Sequence, residues 1–172
     1  IQLIAFNPSG SYALIVGNGG LLLRYQNGVI TTMTSGTTNI LYSIAWNPNG
    51  QYALIGGSSG SILRTDGTTT TALATTGLYP TTAAIRYISW NSGGTLAILV
   101  GTASGVVLTY NGTSLTSLTP VTSNGLYTVA WSGDTATILG NGGTMITFAN
   151  GSLKLVPTGL TSSFRGISWK PN

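Results

Sequence analysis

The chain has 172 residues, which is long enough for one domain to bury a sizeable apolar core. Only 5% of the residues are charged and 42% are hydrophobic, a balance that excludes an intrinsically disordered chain. The net charge of +4 comes from six basic residues spread along the chain, without the dense patch that would predict nucleic-acid binding.

A short phrase opens the chain and returns four times. The first copy reads IAFNP at residues 4–8, and the second reads IAWNP at residues 44–48. The aromatic residue at the centre of each copy is called the anchor below. The anchors are Phe6, Trp46, Trp90, Trp131 and Trp169. They recur about every 40 residues, and this period is typical of four-stranded β-propeller blades.

Further strand-like segments follow each of the first four anchors. The second segment is an apolar run ending in glycine, at residues 12–17, 52–57, 96–101 and 136–140. The third segment lies at residues 22–25, 62–65, 107–110 and 145–148, each followed closely by a glycine. A Thr-rich fourth segment, such as residues 68–76, completes most repeats, because β-branched residues favour extended backbone. No segment has a convincing helical pattern.

The predicted fold is all-β: a β-propeller with four complete four-stranded blades plus the first strand of a fifth. The repeats span about 1–38, 39–82, 83–123 and 124–162, and the extra strand spans 163–172. Because that strand has nothing after it, we favour a segment of a larger propeller over a self-contained four-bladed ring.

Strand geometry predicts which residues of the first phrase share a face. Residues two apart point to the same side, so Ile44 and Trp46 form a bulky face while Ala45 lies on a small one. Bulky faces packed against small faces would let neighbouring sheets interdigitate. The glycines that end the second segments are expected to serve positive φ or close backbone approach. They are Gly17, Gly57, Gly101 and Gly140.

These residues resemble known propeller repeats. Residues 57–67, GSSGSILRTDG, resemble the repeat of the photosystem II assembly-factor family and, more loosely, the bacterial neuraminidase repeat. The phrase WNPNG at 46–50 is similar to the opening strand of WD-like repeats. The resemblance covers nearly the whole chain and implies a propeller, but those families include assembly factors, lectins, hydrolases and scaffolds. Neuraminidases rely on a glutamate that this chain lacks, so sialidase chemistry is not expected.

The inventory of reactive side chains argues against an enzyme. The chain has no His and no Cys, and its two carboxylates are both aspartates, so imidazole bases and thiolate nucleophiles are absent. Asp66 and Asp134 lie in predicted turns of different repeats, which favours a turn role over a catalytic pair. We therefore predict no catalytic residue, no metal site and no cofactor.

One set of residues is a candidate ligand site. The position four residues before each anchor is occupied by Gln2, Tyr42, Arg86, Tyr127 and Arg165. If the first strands line a central channel, these side chains would form a ring at one mouth, suited to a sugar or an anionic group. The alternative is that Arg86 and Arg165 cover apolar surface or stack on aromatic rings, because even spacing places them on the face of the anchors. Arg24 and Arg64 are expected to be exposed strand charges.

Two turns match the N-glycosylation pattern, at Asn111 and Asn150. Chance matches are common in a chain so rich in Ser, Thr and Asn, so glycosylation and a chance match are both kept as interpretations.

Composition and the repeats together suggest a setting and a role. No apolar run approaches the roughly 18 residues of a membrane-spanning helix. So few charges predict acid tolerance, because few carboxylate interactions exist to be lost on protonation. We expect an extracellular or cell-surface location, such as an archaeal surface layer, an appendage or a virus particle. The predicted function is a non-catalytic structural or protein-interaction scaffold; the alternative is a carbohydrate-binding lectin or adhesin.

Overall fold

The computed structural model describes residues 1–78 and 83–168, whose regular secondary structure consists almost entirely of β-strands. The single helical element among them is a short 3-10 turn at Asn18–Gly20. No helix in these two ranges has the length and apolarity needed to cross a membrane. The prediction of an all-β chain is therefore confirmed.

The strands form four antiparallel sheets of four strands each. The first sheet contains β1 (Leu3–Phe6), β2 (Ala13–Val16), β3 (Leu22–Gln26) and β4 (Val29–Thr32). The second contains β5 (Leu41–Trp46), β6 (Ala53–Gly57), β7 (Ile62–Thr65) and β8 (Thr70–Ala72). The third contains β9 (Ile85–Trp90), β10 (Ala97–Gly101), β11 (Val107–Tyr110) and β12 (Leu115–Ser117). The fourth contains β13 (Leu126–Ser132), β14 (Thr135–Gly140), β15 (Met145–Ala149) and β16 (Ser152–Val156).

Within every sheet the strands follow chain order, so each strand pairs with the next through a short turn. Each sheet lies within one of the four repeats expected from the sequence. The register of the second sheet pairs Ile44 with Ile55 and Ile55 with Leu63, which places these three side chains on one face. This local order follows from alternating side chains and closely spaced turn residues.

Consecutive sheets pack face to face through their anchors. The indole N–H of Trp46 donates to the carbonyl of Ala5 at 3.3 Å, and that of Trp90 donates to the carbonyl of Ala45 at 3.3 Å. The indole N–H of Trp131 donates to the carbonyl of Ser89 at 3.1 Å. Each anchor therefore points to the preceding sheet and bonds to the residue just before that sheet's own anchor.

Three apolar clusters fill the three junctions between sheets. The cluster between the first and second sheets joins Leu14 and Val16 to Ile44, Trp46 and Ile55. Equivalent clusters join the second sheet to the third and the third to the fourth. The bulky face of one sheet thus packs on the opposite face of the sheet before it, as the alternation predicts.

The glycines that end the second strands serve close approach rather than a left-handed backbone. A Cβ at Gly57 would lie 2.7 Å from the carbonyl oxygen of Ile40, so only glycine fits there. Positive φ occurs instead in the following turn, for example at Ser59 and Gly60. Of the two roles expected for Gly57, close approach is therefore the one observed.

The predicted fifth strand is described only in part. The backbone N–H of Phe164 donates to the carbonyl of Gly140 at 3.0 Å, and Leu41 makes the same bond to Gly17 at 2.9 Å. Phe164 therefore enters the fold as Leu41 does, although residues 163–168 are not hydrogen-bonded as a strand. The fifth anchor, Trp169, lies outside the described residues.

Candidate functional site

Three of the first strands carry an extra residue at the same place. The pairing of β5 with β6 skips Tyr42, and the pairing of β13 with β14 skips Tyr127. The pairing of β9 with β10 skips Arg86 in the same way. Such β-bulges redirect a side chain out of the regular ladder. We call the end of the sheets where β5, β9 and β13 begin the bulge end, and the other end the turn end.

The bulges correct one expectation from the sequence. Even spacing would place Tyr42 and Arg86 on the face of their anchors, but that face is occupied by the residue one position earlier. Leu41 and Ile85 are both fully buried and pack in the clusters of Trp46 and Trp90. The prediction from simple two-residue alternation was wrong here. Each bulge adds one residue to the strand and so changes which residues before it lie on the face of the anchor. In the sequence, the bulge is indicated by two large residues in succession, Leu41 and Tyr42, where a regular alternation would place a small residue between large ones.

The arginines of the predicted ring stack on its tyrosines. The guanidinium carbon of Arg86 lies 3.9 Å from the ring centroid of Tyr42, and that of Arg165 lies 4.1 Å from the centroid of Tyr127. Each arginine belongs to the repeat after that of its tyrosine, so each stack joins consecutive repeats. The predicted stacking on neighbouring aromatic rings is therefore present. Both arginines are exposed and both tyrosines are half-buried.

Gln2 stands apart from the other predicted members of the ring. The paired register of the first sheet begins at Leu3, one residue after Gln2, and the backbone N–H of Gln2 donates to the carbonyl of Val16 at 2.8 Å. The side-chain amide of Gln2 donates to Oδ1 of Asn18 at 2.9 Å, which ties the start of the chain to the turn after β2. The structure thus brings together two arginine–tyrosine pairs and leaves Gln2 in a separate contact at the same end.

A second kind of arginine–tyrosine pair lies nearer the turn end. The guanidinium of Arg24 lies over Tyr12, and that of Arg64 over Tyr52, each at 4.0 Å. Arg24 also donates to the carbonyl of Gly67 at 3.1 Å and is half-buried, so the expectation of an exposed charge was wrong for it. Arg64 is exposed, as expected.

The two carboxylates are far from each other in the chain and occupy separate turns. Asp66 caps the turn between β7 and β8, where it accepts bonds from the backbone amides of Thr69 and Thr68 at 2.7 and 2.8 Å. These bonds, together with the Thr68 hydroxyl, hold the pKa of Asp66 well below its usual value of 3.8. Asp134 lies in the turn between β13 and β14. The turn role expected for Asp66 is the one observed.

The two glycosylation candidates are both exposed. Asn111 lies between β11 and β12, where its side-chain oxygen accepts the backbone N–H of Thr113 and of Ser114. Asn150 begins the turn between β15 and β16 with a φ of 51°. Exposure in a turn satisfies the steric requirement for glycosylation, which stays a prediction at both sites.

The first sheet has an uncovered apolar face that the sequence analysis did not identify. Ile4 is 50% exposed and Phe6 is 57% exposed, whereas their counterparts Ile44 and Trp46 are 4% and 8% exposed. Tyr25 and Ile30 continue the same face across β3 and β4, because Phe6 pairs with Ala13, Ala13 with Tyr25, and Tyr25 with Ile30. We call this surface the open face. The one signal in the sequence was Phe6, the single anchor among five that is not a tryptophan.

Comparison with known proteins adds no relative: the sequence matches no protein-family model, and it matches no curated protein.

Proposed function

We propose that the four sheets are blades of a β-propeller segment, and that the chain acts as a non-catalytic structural or protein-interaction module outside the cell. Three features support the propeller. The sheets are meanders of equal strand number, consecutive sheets pack face to face, and the anchor bond repeats at every junction. The resemblance of residues 46–50 and 57–67 to propeller repeats supports the same proposal.

The open face is the observation that carries the interaction role. Contiguous exposed apolar surface is uncommon on monomeric proteins and marks interaction sites. The residues that correspond to Ile4 in the second, third and fourth sheets, Ile44, Ile88 and Val129, are buried. Ile88 is 4% exposed and Val129 is 2% exposed, whereas Ile4 is 50% exposed. The first sheet therefore presents the surface that every later sheet uses to bind its predecessor.

The partner of the open face is another four-stranded sheet of this repeat. At the junction between the first two sheets, the first sheet covers the anchor Trp46 of the second. The covering surface consists of Ala5 on β1 and of Leu14 and Val16 on β2. A small residue there leaves room for the aromatic anchor, and the aliphatic side chains fill the space beyond it. A sheet with this surface would continue the packing of the other three junctions onto Ile4 and Phe6.

An extended chain tests this proposal directly. A second copy of residues 83–125 joined ahead of Ile1 keeps the natural spacing between repeats and offers its small-residue face to Phe6. We expect the added repeat to fold and the thermal unfolding temperature to rise. Burying Ile4 and Phe6 from half-exposed positions contributes about 2 kcal/mol. Binding of a hydrophobic dye to the open face should decrease.

Phe6→Lys in both the original and the extended chain is the control. This substitution should change the original chain little, because Phe6 is mostly exposed, but it should remove the gain from the extension. An added repeat that remains protease-sensitive, with no change in dye binding, would contradict the proposed partner.

The extracellular setting rests on composition. A surface with so few charges is hydrated mainly by hydroxyl and amide groups, and few carboxylate interactions depend on neutral pH. The alternative role, carbohydrate binding, would use the bulge end.

A further inference from the structure

The two side-chain carboxylates lie at the opposite end of the sheets from Arg86 and Arg165. β7 runs in the same direction as β5, so Asp66, just after β7, lies at the turn end. Asp134 follows β13 and lies at that end too, roughly 20 Å along the strand from Tyr127. Arg86 and Arg165 lie at the bulge end. The bulge end thus carries cations whereas both carboxylates of the chain are at the opposite end.

Stacking holds the two arginines ready for an anion. The guanidinium groups of Arg86 and Arg165 lie within about 4 Å of the tyrosine ring centroids, and this contact limits the freedom of the arginine side chains. In the described residues, neither Arg86 nor Arg165 donates a hydrogen bond or pairs with a carboxylate. Their donors are therefore free for a ligand, unlike those of Arg24, which bond to Gly67 and Gln26.

Neutral polar groups share the bulge end with these arginines. β2, β6, β10 and β14 end at the bulge end, and the turns after them expose Asn18, Ser59 and Ser104. Hydroxyl and amide groups donate and accept hydrogen bonds, and they suit a polyhydroxylated ligand. Sparse cations among many neutral polar groups match a ligand with the complementary pattern, in which a few negative charges are spaced along a hydroxyl-rich chain.

We propose that the bulge end binds an acidic polysaccharide, with Arg86 and Arg165 each holding one carboxylate or sulfate group. The two arginines lie two repeats apart, and sheets pack on the order of 10 Å apart, so one small anion does not reach both. Nucleic acid fits less well, because a guanidinium group already covers one face of Tyr42 and one face of Tyr127. This site is independent of the open face.

Polymers that share one backbone give a matched test. Dextran, carboxymethyl dextran and dextran sulfate differ only in the charged group, and their binding to the full chain is measured by fluorescence anisotropy. We expect both charged polymers to bind and dextran not to bind. The tighter of the two identifies carboxylate or sulfate as the preferred group, and equal binding supports the chemistry they share. Raising the salt concentration should weaken binding.

Four variants locate the site. Arg86→Gln and Arg165→Gln should each weaken binding about tenfold, since each removes charge-assisted hydrogen bonds. Arg64→Gln is the matched control, because Arg64 also stacks on a tyrosine at 4.0 Å and is exposed but lies near the turn end. It should leave binding unchanged. If Arg86→Gln unfolds the chain, Arg86→Lys keeps the charge without the planar fork and should bind with intermediate affinity.

Several results would overturn the proposal. If Arg64→Gln weakens binding of the charged polymers as much as Arg86→Gln does, net charge alone matters. Binding of uncharged dextran as tight as that of the charged polymers would also contradict the proposal. Oligothymidylate binding more tightly than both charged dextrans would assign the site to nucleic acid instead. Absence of binding to both charged polymers would also overturn it, while the open face would be untouched, because the extended-chain experiment does not involve Arg86 or Arg165.

Discussion

The first and third sheets have the same strand pattern but opposite surroundings. In the third sheet the anchor Trp90 is 8% exposed, because the second sheet covers it. In the first sheet the anchor Phe6 is 57% exposed. The comparison teaches that a repeat phrase fixes which side chains share a face, whereas the neighbouring sheet fixes whether that face is buried.

The anchors also differ in chemistry. The indole of Trp90 donates to Ala45 and packs edge-on against Tyr52 and Tyr110, at centroid distances of 5.6 and 6.0 Å. The side chain of Phe6 has no N–H group and no such aromatic neighbours among the described residues. The stabilising contribution of an anchor should therefore depend strongly on the sheet.

The largest expected effect comes from truncating the two anchors. Trp90→Ala removes a buried aromatic side chain and should lower the free energy of unfolding by about 3–5 kcal/mol. Phe6→Ala should cost about 1 kcal/mol or less, because more than half of the side chain is already in water. Urea unfolding monitored by circular dichroism gives both values. Equal losses would mean that the open face is covered in solution.

A smaller effect is expected at Gly56, where the third sheet packs closely on the second. The first sheet has Val16 at this position of the repeat, but a Cβ at Gly56 would lie 2.6 Å from Cγ2 of Ile85. Gly56→Ala should therefore lower the free energy of unfolding by about 1–3 kcal/mol through overpacking.

Gly93→Ala is the control for this substitution, because its Cβ would meet nothing nearer than 3.9 Å and its φ is not positive. It should be almost neutral in the same urea experiment. A Gly56→Ala chain as stable as the original would show that the junction between the second and third sheets is loosely packed.

The smallest expected effect concerns two turns that differ in charge. Asp66 caps a turn that packs against Tyr12 and Arg24 of the first sheet, whereas the third sheet makes a similar turn with the neutral Asn111. Hydrogen bonds from Thr69 and Thr68 lower the pKa of Asp66 in the folded state. Its contribution to stability is therefore complete above the unfolded pKa, near 3.8, and is lost as the pH falls below it.

Thermal unfolding measured at several pH values on both sides of 3.8 tests whether the contribution of Asp66 to stability is lost in acid. The unfolding temperature should stay level between about pH 7 and pH 5 and decrease by a few degrees below about pH 4. Asp66→Asn should remove most of that decrease. A chain with Asp66→Asn that loses stability in acid as the original does would assign the effect to other groups. The acid tolerance expected from the composition is consistent with this small loss and stays a prediction.

The sequence was sufficient for the strands, the repeats and the anchor faces, because these depend on local signals. Alternation of two residues fixes the faces of a strand, as at Ile44, Ala45 and Trp46, and closely spaced turn residues end each strand. The candidate ring was found from spacing alone. Its two stacked pairs were foreseen only as an alternative, because side-chain contacts between repeats have no local signature.

The amino-acid pattern alone was enough to predict an all-β chain of four-stranded units with aromatic anchors. Three features required the folded chain: Tyr42, Arg86 and Tyr127 leave the ladder as bulges, Arg86 and Arg165 donate to no other group within residues 1–78 and 83–168, and Phe6 lies on an open face. The physical reason is that pairing register and burial are properties of two sheets at once. A strand pattern describes one strand, whereas its neighbours determine which of its residues bind and which are buried.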